Sequence, residues 1–173
     1  MKGVHQLQKH GVEFNALACV GRETARQPLD VYRFFRDTGI RYIQFTPIVE
    51  REPDAPTQVI KLWLARPAML DRPEPNTKVT SWTVEPEAYG DFLIAIYEEW
   101  VRKDVGGTFV MNFEWALTAW LGEPSPVCIF SQQCGRAVAM EHDGSVFACD
   151  HYVYPEYKLG NVLTGNLAEM VER

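Results

Sequence analysis

The sequence predicts an α/β chain: a parallel strand–helix–strand unit followed by a small hairpin that carries cysteines. Three observations predict it. Two apolar runs, 12–20 (VEFNALACV) and 40–49 (IRYIQFTPIV), flank a helix-patterned stretch with short loops on both sides, the signature of a right-handed parallel crossover. Both runs are apolar on alternate and intervening positions alike, as in a sheet covered on two faces or a (β/α) barrel. Beyond residue 122 the character changes, and three of the four cysteines fall between Cys128 and Asn161.

Taken in order, residues 2–10 read as a short helix with Val4 and Leu7 on one face and Gly11 as its stop. The first strand follows, with Phe14, Leu17, Cys19 and Val20 supplying bulk and Cys19 expected in the core. Gly21 to Gln27 reads as a polar loop. Pro28 suits the first position of a helix that sets Leu29, Tyr32 and Phe35 on one face and ends at Gly39. After the second strand, prolines at 53, 56, 67, 73 and 75 predict a long connection over about 50–83, interrupted by a short apolar piece from Val59 to Leu64. Pro86 opens the clearest helix. Tyr89, Phe92, Leu93, Ile96, Tyr97, Trp100 and Val101 form one apolar stripe. Thr108 to Met111 suits a short strand, Asn112 the cap of a helix running to Leu121, and Gly122 its stop. The Trp100 and Trp120 helices are read as packing elements.

Residues 1–122 are expected to form one domain and 123–173 the start of a second. In the latter, Cys128 to Gly135 reads as a tight loop. Ala137–Glu141 and Ser145–Ala148 flank His142-Asp143-Gly144, a hairpin turn in which Gly144 takes positive φ. That hairpin is expected to carry Cys149 back beside Cys134. Tyr152 to Gly160 reads as irregular, and Leu167 to Val171 as a helix.

At 173 residues, 46% hydrophobic and 23% charged, the chain has the composition of a globular protein with a substantial core. A formal net charge of −6 argues against a nucleic-acid partner. No apolar run is long enough for a bilayer, and MKGVHQLQKHGVEF lacks the apolar core of a signal peptide. The expectation is a cytoplasmic chain with no membrane partner, whose cysteines serve metal or catalysis rather than disulfides.

The spacing Cys128-x5-Cys134-x14-Cys149 is not the twin close pairs of a zinc ribbon. Spacing alone leaves two readings: a metal or cluster site one ligand short, and three half-buried thiols acting as small apolar residues. The residues around them add a resemblance. The segment CGRAVAMEHDGSVFACDHYVYPEYKLGNV closely resembles the SPASM segment of the anaerobic sulfatase-maturating enzymes, which are radical S-adenosylmethionine proteins. It shares C-x5-C, a hairpin ending E-x-D-G-x-V-x-x-C-D, then V-x-P and L-G-N-V. Upstream, FNALACV, a helix and YIQFTPIVE resemble the last strands of that family's partial (β/α) barrel.

The resemblance implies that Cys128, Cys134 and Cys149 ligate an auxiliary [4Fe-4S] cluster and that Asp150 is the general base. In the family a 5′-deoxyadenosyl radical removes hydrogen from Cβ of a serine or cysteine in a sulfatase peptide. A carboxylate takes the side-chain proton, the second electron leaves through an auxiliary cluster, and Cα-formylglycine results. A carboxylate beside an anionic cluster is expected to have a raised pKa. Gln44 and Thr46, on the last barrel strand, are implied neighbours of S-adenosylmethionine. Tyr152 and Tyr154 are placed to shield the cluster; His151 is read first as a loop residue, with a hydrogen bond near the cluster or Asp150 as the alternative.

The sequence departs from the family in lacking C-x3-C-x2-C, the motif that holds the cofactor-cleaving cluster, and further cysteines after Cys149. The expectation is therefore an internal fragment of a longer enzyme, or a degenerate homologue, inactive by itself. Other readings are a non-catalytic iron-sulfur or zinc module that binds a peptide, a maturase of another peptide, and a structural α/β piece without metal.

Overall fold

In the computed structural model, residues 1–52, 78–132 and 137–172 are described. They form two compact units, Met1–Leu117 and Thr118–Arg173. The division falls inside a helix, a few residues before Gly122.

The first unit is built on a parallel sheet in the order β1-β2-β3, with β1 Asn15–Val20, β2 Tyr42–Pro47 and β3 Phe109–Val110. Helix α1 (Lys2–Lys9) precedes the sheet and α2 (Pro28–Asp37) makes the β1–β2 crossover. Helices α3 (Pro86–Lys103) and α4 (Met111–Trp120) flank β3. Pro28 and Pro86 stand at the first turns of α2 and α3, where a missing N–H costs nothing. Gly39 ends α2 with φ +77°, a conformation that only glycine takes cheaply.

Register decides which side chains are buried. Ala16 and Ala18 lie opposite Ile43 and Phe45, while Leu17 and Cys19 lie opposite Gln44 and Thr46. The first set joins Val20, Tyr32, Phe92, Ile96, Trp100 and Val110 in one core. Phe45 meets Phe92 edge-on at 5.2 Å, and each such buried ring contributes about 2–3 kcal/mol. The second set forms the other face, and there Leu17 is 70% exposed. One expectation is thereby corrected: Cys19 is exposed rather than core. Period-2 alternation puts Cys19 with Leu17, away from α2 and α3.

The stripe on α3 is also rotated from its expected position. Phe92, Ile96 and Trp100 are buried, but Tyr97 and Val101 are on the exposed edge, and Glu99 is buried in their stead. Glu99 accepts from Arg33 Nε and Arg36 Nη1, each at 3.0 Å, and from Arg33 Nη2. Tyr32 donates to Asp104 at 2.8 Å beside them. This charged cluster ties α2 to α3. Trp100 is tolerated inside because its indole N–H donates to Thr108 O at 2.7 Å. Trp120, by contrast, is 89% exposed, contrary to the packing role expected of it.

The long connection is closed at its base. Arg51 bridges Val79, Glu52 N–H donates to Lys78 O, and Thr80 N–H donates to Glu50 O, both at 2.9 Å. The apolar piece Val59–Leu64 lies outside the described residues.

In the second unit, β4 (Ala139–Met140) and β5 (Ser145–Phe147) form the expected antiparallel hairpin. Gly144 has φ +82°, and a Cβ there would stand 2.9 Å from Asn161 Oδ1. The Asp143 carboxylate receives the Ser145 N–H and hydroxyl, both at 2.9 Å, which holds it below its ordinary pKa. A third strand, β6 (Lys158–Asn161), pairs with β5 where the sequence read as irregular. Its residues, KLGN, show no alternation, and a bulge at Val146/Phe147 breaks the register. Gly160 is needed there because the Met170 thioether of α5 (Leu167–Val171) lies where a Cβ would be, 2.8 Å away.

The Glu99 cluster makes stability pH-dependent. Hydrogen bonds from Arg33, aided by those from Arg36 and opposed by burial, lower the Glu99 pKa from 4.5 to about 2. Its contribution is present above pH 4.5 and disappears as pH falls through 2. Glu99→Gln is expected to lower stability by about 2 kcal/mol at neutral pH, read from urea midpoints, with the gap narrowing below pH 4.5.

Candidate metal centre

Cys128 opens a one-turn 3-10 segment, Cys128–Phe130. Two serines brace that turn: Val127 N–H donates to Ser125 Oγ at 3.2 Å, and Ser131 Oγ donates to Ser125 O at 3.1 Å. Pro124 and Pro126 leave few backbone donors here, so hydroxyls supply the local bonding. The Cys128 thiol is exposed and free.

Cys149 sits just past β5, where Ala148 N–H donates to Tyr157 O at 3.1 Å. It caps the 3-10 turn Asp150–Tyr152, its sulfur accepting the His151 N–H at 3.4 Å. The thiol donates to Asp150 Oδ1 at 3.2 Å. His151 Nδ1 lies 3.5 Å from the sulfur and 3.4 Å from Asp150 Oδ1. One donor atom from each of these three residues lies within 4.8 Å of the others. Tyr152 and Tyr157 pack their rings 4.9 Å apart next to this turn.

Electrostatics within the cluster are mutual. For Cys149 the His151 N–H pulls the thiol pKa down, but partial burial, the Asp150 carboxylate and the charge of Cys128 outweigh it, so the net shift is upward. Asp150 moves the other way. The Cys149 thiol first, then the charge of protonated His151, hold its carboxyl below the ordinary value. The expected rise of Asp150 belongs to the cluster-bound protein, in which Cys149 is a ligand rather than a donor.

Of the site residues read from the sequence, Cys149 and Asp150 are thus in contact, and Cys128 is close enough to Cys149 to shift it. Cys134 lies outside the described residues. Gln44 and Thr46 belong to the first unit. They stand on the exposed face of β2 with Leu17 and Cys19, and their side chains make no hydrogen bond among the described residues. The sequence reading favoured a simple loop role for His151 and gave a bond near Asp150 as the alternative. The signal was its position directly after Asp150, since a 3-10 turn brings its ring nitrogen back over two preceding side chains. A cavity of about 260 Å³ lies at the opposite end of the sheet, between Phe14, Arg41 and Tyr42, and contains none of these residues.

The donor set suits a thiolate-bound group. Two free thiols lie in one unit, and the His151 N–H to Cys149 sulfur bond is of the kind that iron-bound thiolates accept. A sulfur, an oxygen and a nitrogen within 4.8 Å also match zinc chemistry.

No family model matches the chain. It is 42% identical over 171 residues to a serine-type anaerobic sulfatase-maturating enzyme of Bacteroides thetaiotaomicron, covering 99% of this chain and 40% of that protein. It is 27% identical over 172 residues to a cysteine-type anaerobic sulfatase-maturating enzyme of Clostridium novyi, covering 98% of this chain and 40% of that protein. Among solved structures it resembles hexahistidine-tagged anSMEcpe with bound AdoMet, with a TM-score of 0.72 and 25% identity over 99% of this chain and 40% of that one. The chain therefore spans about two fifths of the length of each of these three relatives.

Removing the carboxylate should make the Cys149 thiol easier to ionise. In metal-free protein, Asp150→Asn is expected to move the pH midpoint for iodoacetamide alkylation of Cys149 downward, followed by mass spectrometry of its peptide. An unchanged midpoint would show that the carboxylate is not felt at the sulfur.

Proposed function

We propose that the chain belongs to the anaerobic sulfatase-maturating enzyme family, which it matches at 42% identity over 171 residues, and that it supplies the auxiliary-cluster ligands and the general base of such an enzyme. The observation that carries this is the 42% identity to the Bacteroides enzyme along essentially the whole chain. The free thiols of Cys128 and Cys149 and the contact between Cys149 and Asp150 support it from the geometry.

In this reading the first unit is the closing part of a partial (β/α) barrel and the second the start of a SPASM domain. Cys128, Cys134 and Cys149 hold an auxiliary [4Fe-4S] cluster. When bound, that cluster supplies an acceptor for the second electron of the oxidation. Asp150 takes the proton from the oxygen or sulfur of a serine or cysteine in a sulfatase peptide, on the way to Cα-formylglycine. The thiol hydrogen bond that lowers Asp150 in the metal-free protein is given up when Cys149 is a ligand, and a carboxylate beside an anionic cluster is raised toward the range that suits a general base. The exposed face of β2, with Gln44 and Thr46, borders S-adenosylmethionine. Leu17 offers apolar surface beside them and both polar side chains have free hydrogen-bonding capacity among the described residues.

A second reading is a non-catalytic zinc module that binds a peptide, favoured by the Cys149, Asp150 and His151 donors. Anaerobic reconstitution with iron and sulfide separates the two. A broad absorption near roughly 400 nm, lost in Cys128→Ala, Cys134→Ala and Cys149→Ala, is expected. Tight zinc binding without that band favours the module, and neither metal defeats both readings.

Two further outcomes follow from the roles assigned. In a cluster-loaded maturase, Asp150→Asn should cut formylglycine formation by about 100-fold or more while iron content stays constant. The 173-residue chain by itself, which has no C-x3-C-x2-C, should form no 5′-deoxyadenosine from S-adenosylmethionine under reducing conditions.

A further inference from the structure

β3 pairs with β2 only at Tyr42 and Ile43, then the chain turns into α4. Among the described residues, the edge of β2 beyond that point therefore has no strand partner, just where Gln44 and Thr46 stand. Asn112, on the first turn of α4, stands in for one. Its Oδ1 accepts the Phe45 N–H at 2.9 Å and its Nδ2 donates to Phe45 O at 3.0 Å. Tyr89 of α3 donates its hydroxyl to the same carbonyl at 2.9 Å. A primary amide can satisfy both groups of one peptide residue, as a neighbouring strand would. The sequence suggested Asn112 as a helix cap. The structure gives its side chain to β2 instead.

We propose that Asn112, assisted by Tyr89, is a positioning residue: its amide continues the β2 ladder past the end of β3 and fixes the Phe45 peptide, so that Gln44 and Thr46 are held on the open face of the sheet for cofactor binding. This rests on the reading above that this face borders S-adenosylmethionine. Phe45 lies between the two residues and points its ring into the core, against Phe92. Its side chain and its peptide are therefore anchored independently. Loss of the amide leaves the ring packed but frees the peptide, and the two flanking side chains lose their aim with it. The hydroxyl of Tyr89 is itself held in a half-buried setting, and burial raises its pKa, so it stays a donor at neutral pH.

The test has two arms. In the full 173-residue chain, amide hydrogen exchange is measured by NMR. Asn112→Leu should speed exchange at Phe45 by about tenfold or more and leave amides of β1 at their wild-type rates. Asn112→Asp keeps the acceptor and should protect that amide nearly as well as the native residue. If Asn112→Leu does not fold, Tyr89→Phe and Asn112→Asp carry the comparison in the second arm. Unchanged Phe45 exchange in a folded Asn112→Leu protein overturns the proposal.

In the second arm, binding of S-adenosylhomocysteine to the cluster-loaded enzyme is followed by equilibrium dialysis. Asn112→Leu should weaken it by about tenfold, Tyr89→Phe and Asn112→Asp by less. The number of sites filled per chain at saturation should stay at its wild-type value. A structural defect would lower that number through the folded fraction and leave the dissociation constant alone. Gln44→Ala and Thr46→Ala are the control. If they leave binding unchanged, the cofactor-facing reading fails and takes this proposal with it. If they weaken binding while the Asn112 and Tyr89 variants do not, the positioning proposal fails by itself.

Discussion

Phe45 is the point at which the packing and the hydrogen bonding of the larger unit meet. Its ring is buried against Phe92 and Phe35, and its peptide is held by Asn112 and Tyr89. The parallel pairing of β2 with β1 depends on that strand staying straight to its C-terminal end, where Ile48 N–H returns to Val20 O. Interior packing of this density tolerates little displacement. A shift at Phe45 would therefore pass to the core face and the open face alike.

The smaller unit solves a different problem with fewer residues. Its buried apolar set is small, with Val146, Phe147 and Met170 at its centre. Much of its order comes from polar closure: Asp143 on Ser145, Asn161 on Asp143 O, and Cys149 on the His151 amide. Small cores commonly need a staple such as a metal or a disulfide. A thiolate-bound cluster at Cys128 and Cys149 would serve that need, and it would link the turn before the hairpin to the strand after it. The same residues would then act in folding and in chemistry.

Within the cysteine turn, short-range geometry brings unlike groups together. A 3-10 turn stacks side chains more tightly than an α-helix does. Cys149, Asp150 and His151 are consecutive, yet thiol, carboxylate and imidazole all meet. The opposite shifts of Cys149 and Asp150 arise from that contact.

Sequence by itself determined the elements whose signals are local. Pro28 and Pro86 set helix starts, Gly39 and Gly144 set turns that need positive φ, and the apolar runs set β1 and β2. The motif around Cys134 and Cys149 carried the family resemblance, because spacing and flanking residues are a linear pattern. Only the tertiary structure decided that Cys19 and Leu17 lie on an open face, since strand alternation gives two faces but not which one the helices cover. It alone placed Glu99 inside, because its partners Arg33 and Arg36 lie more than sixty residues away in the chain. It alone gave β6 a partner and turned Asn112 from a cap into a surrogate strand. In each case the deciding contact is long-range, and a residue's own neighbours in sequence carry no record of it.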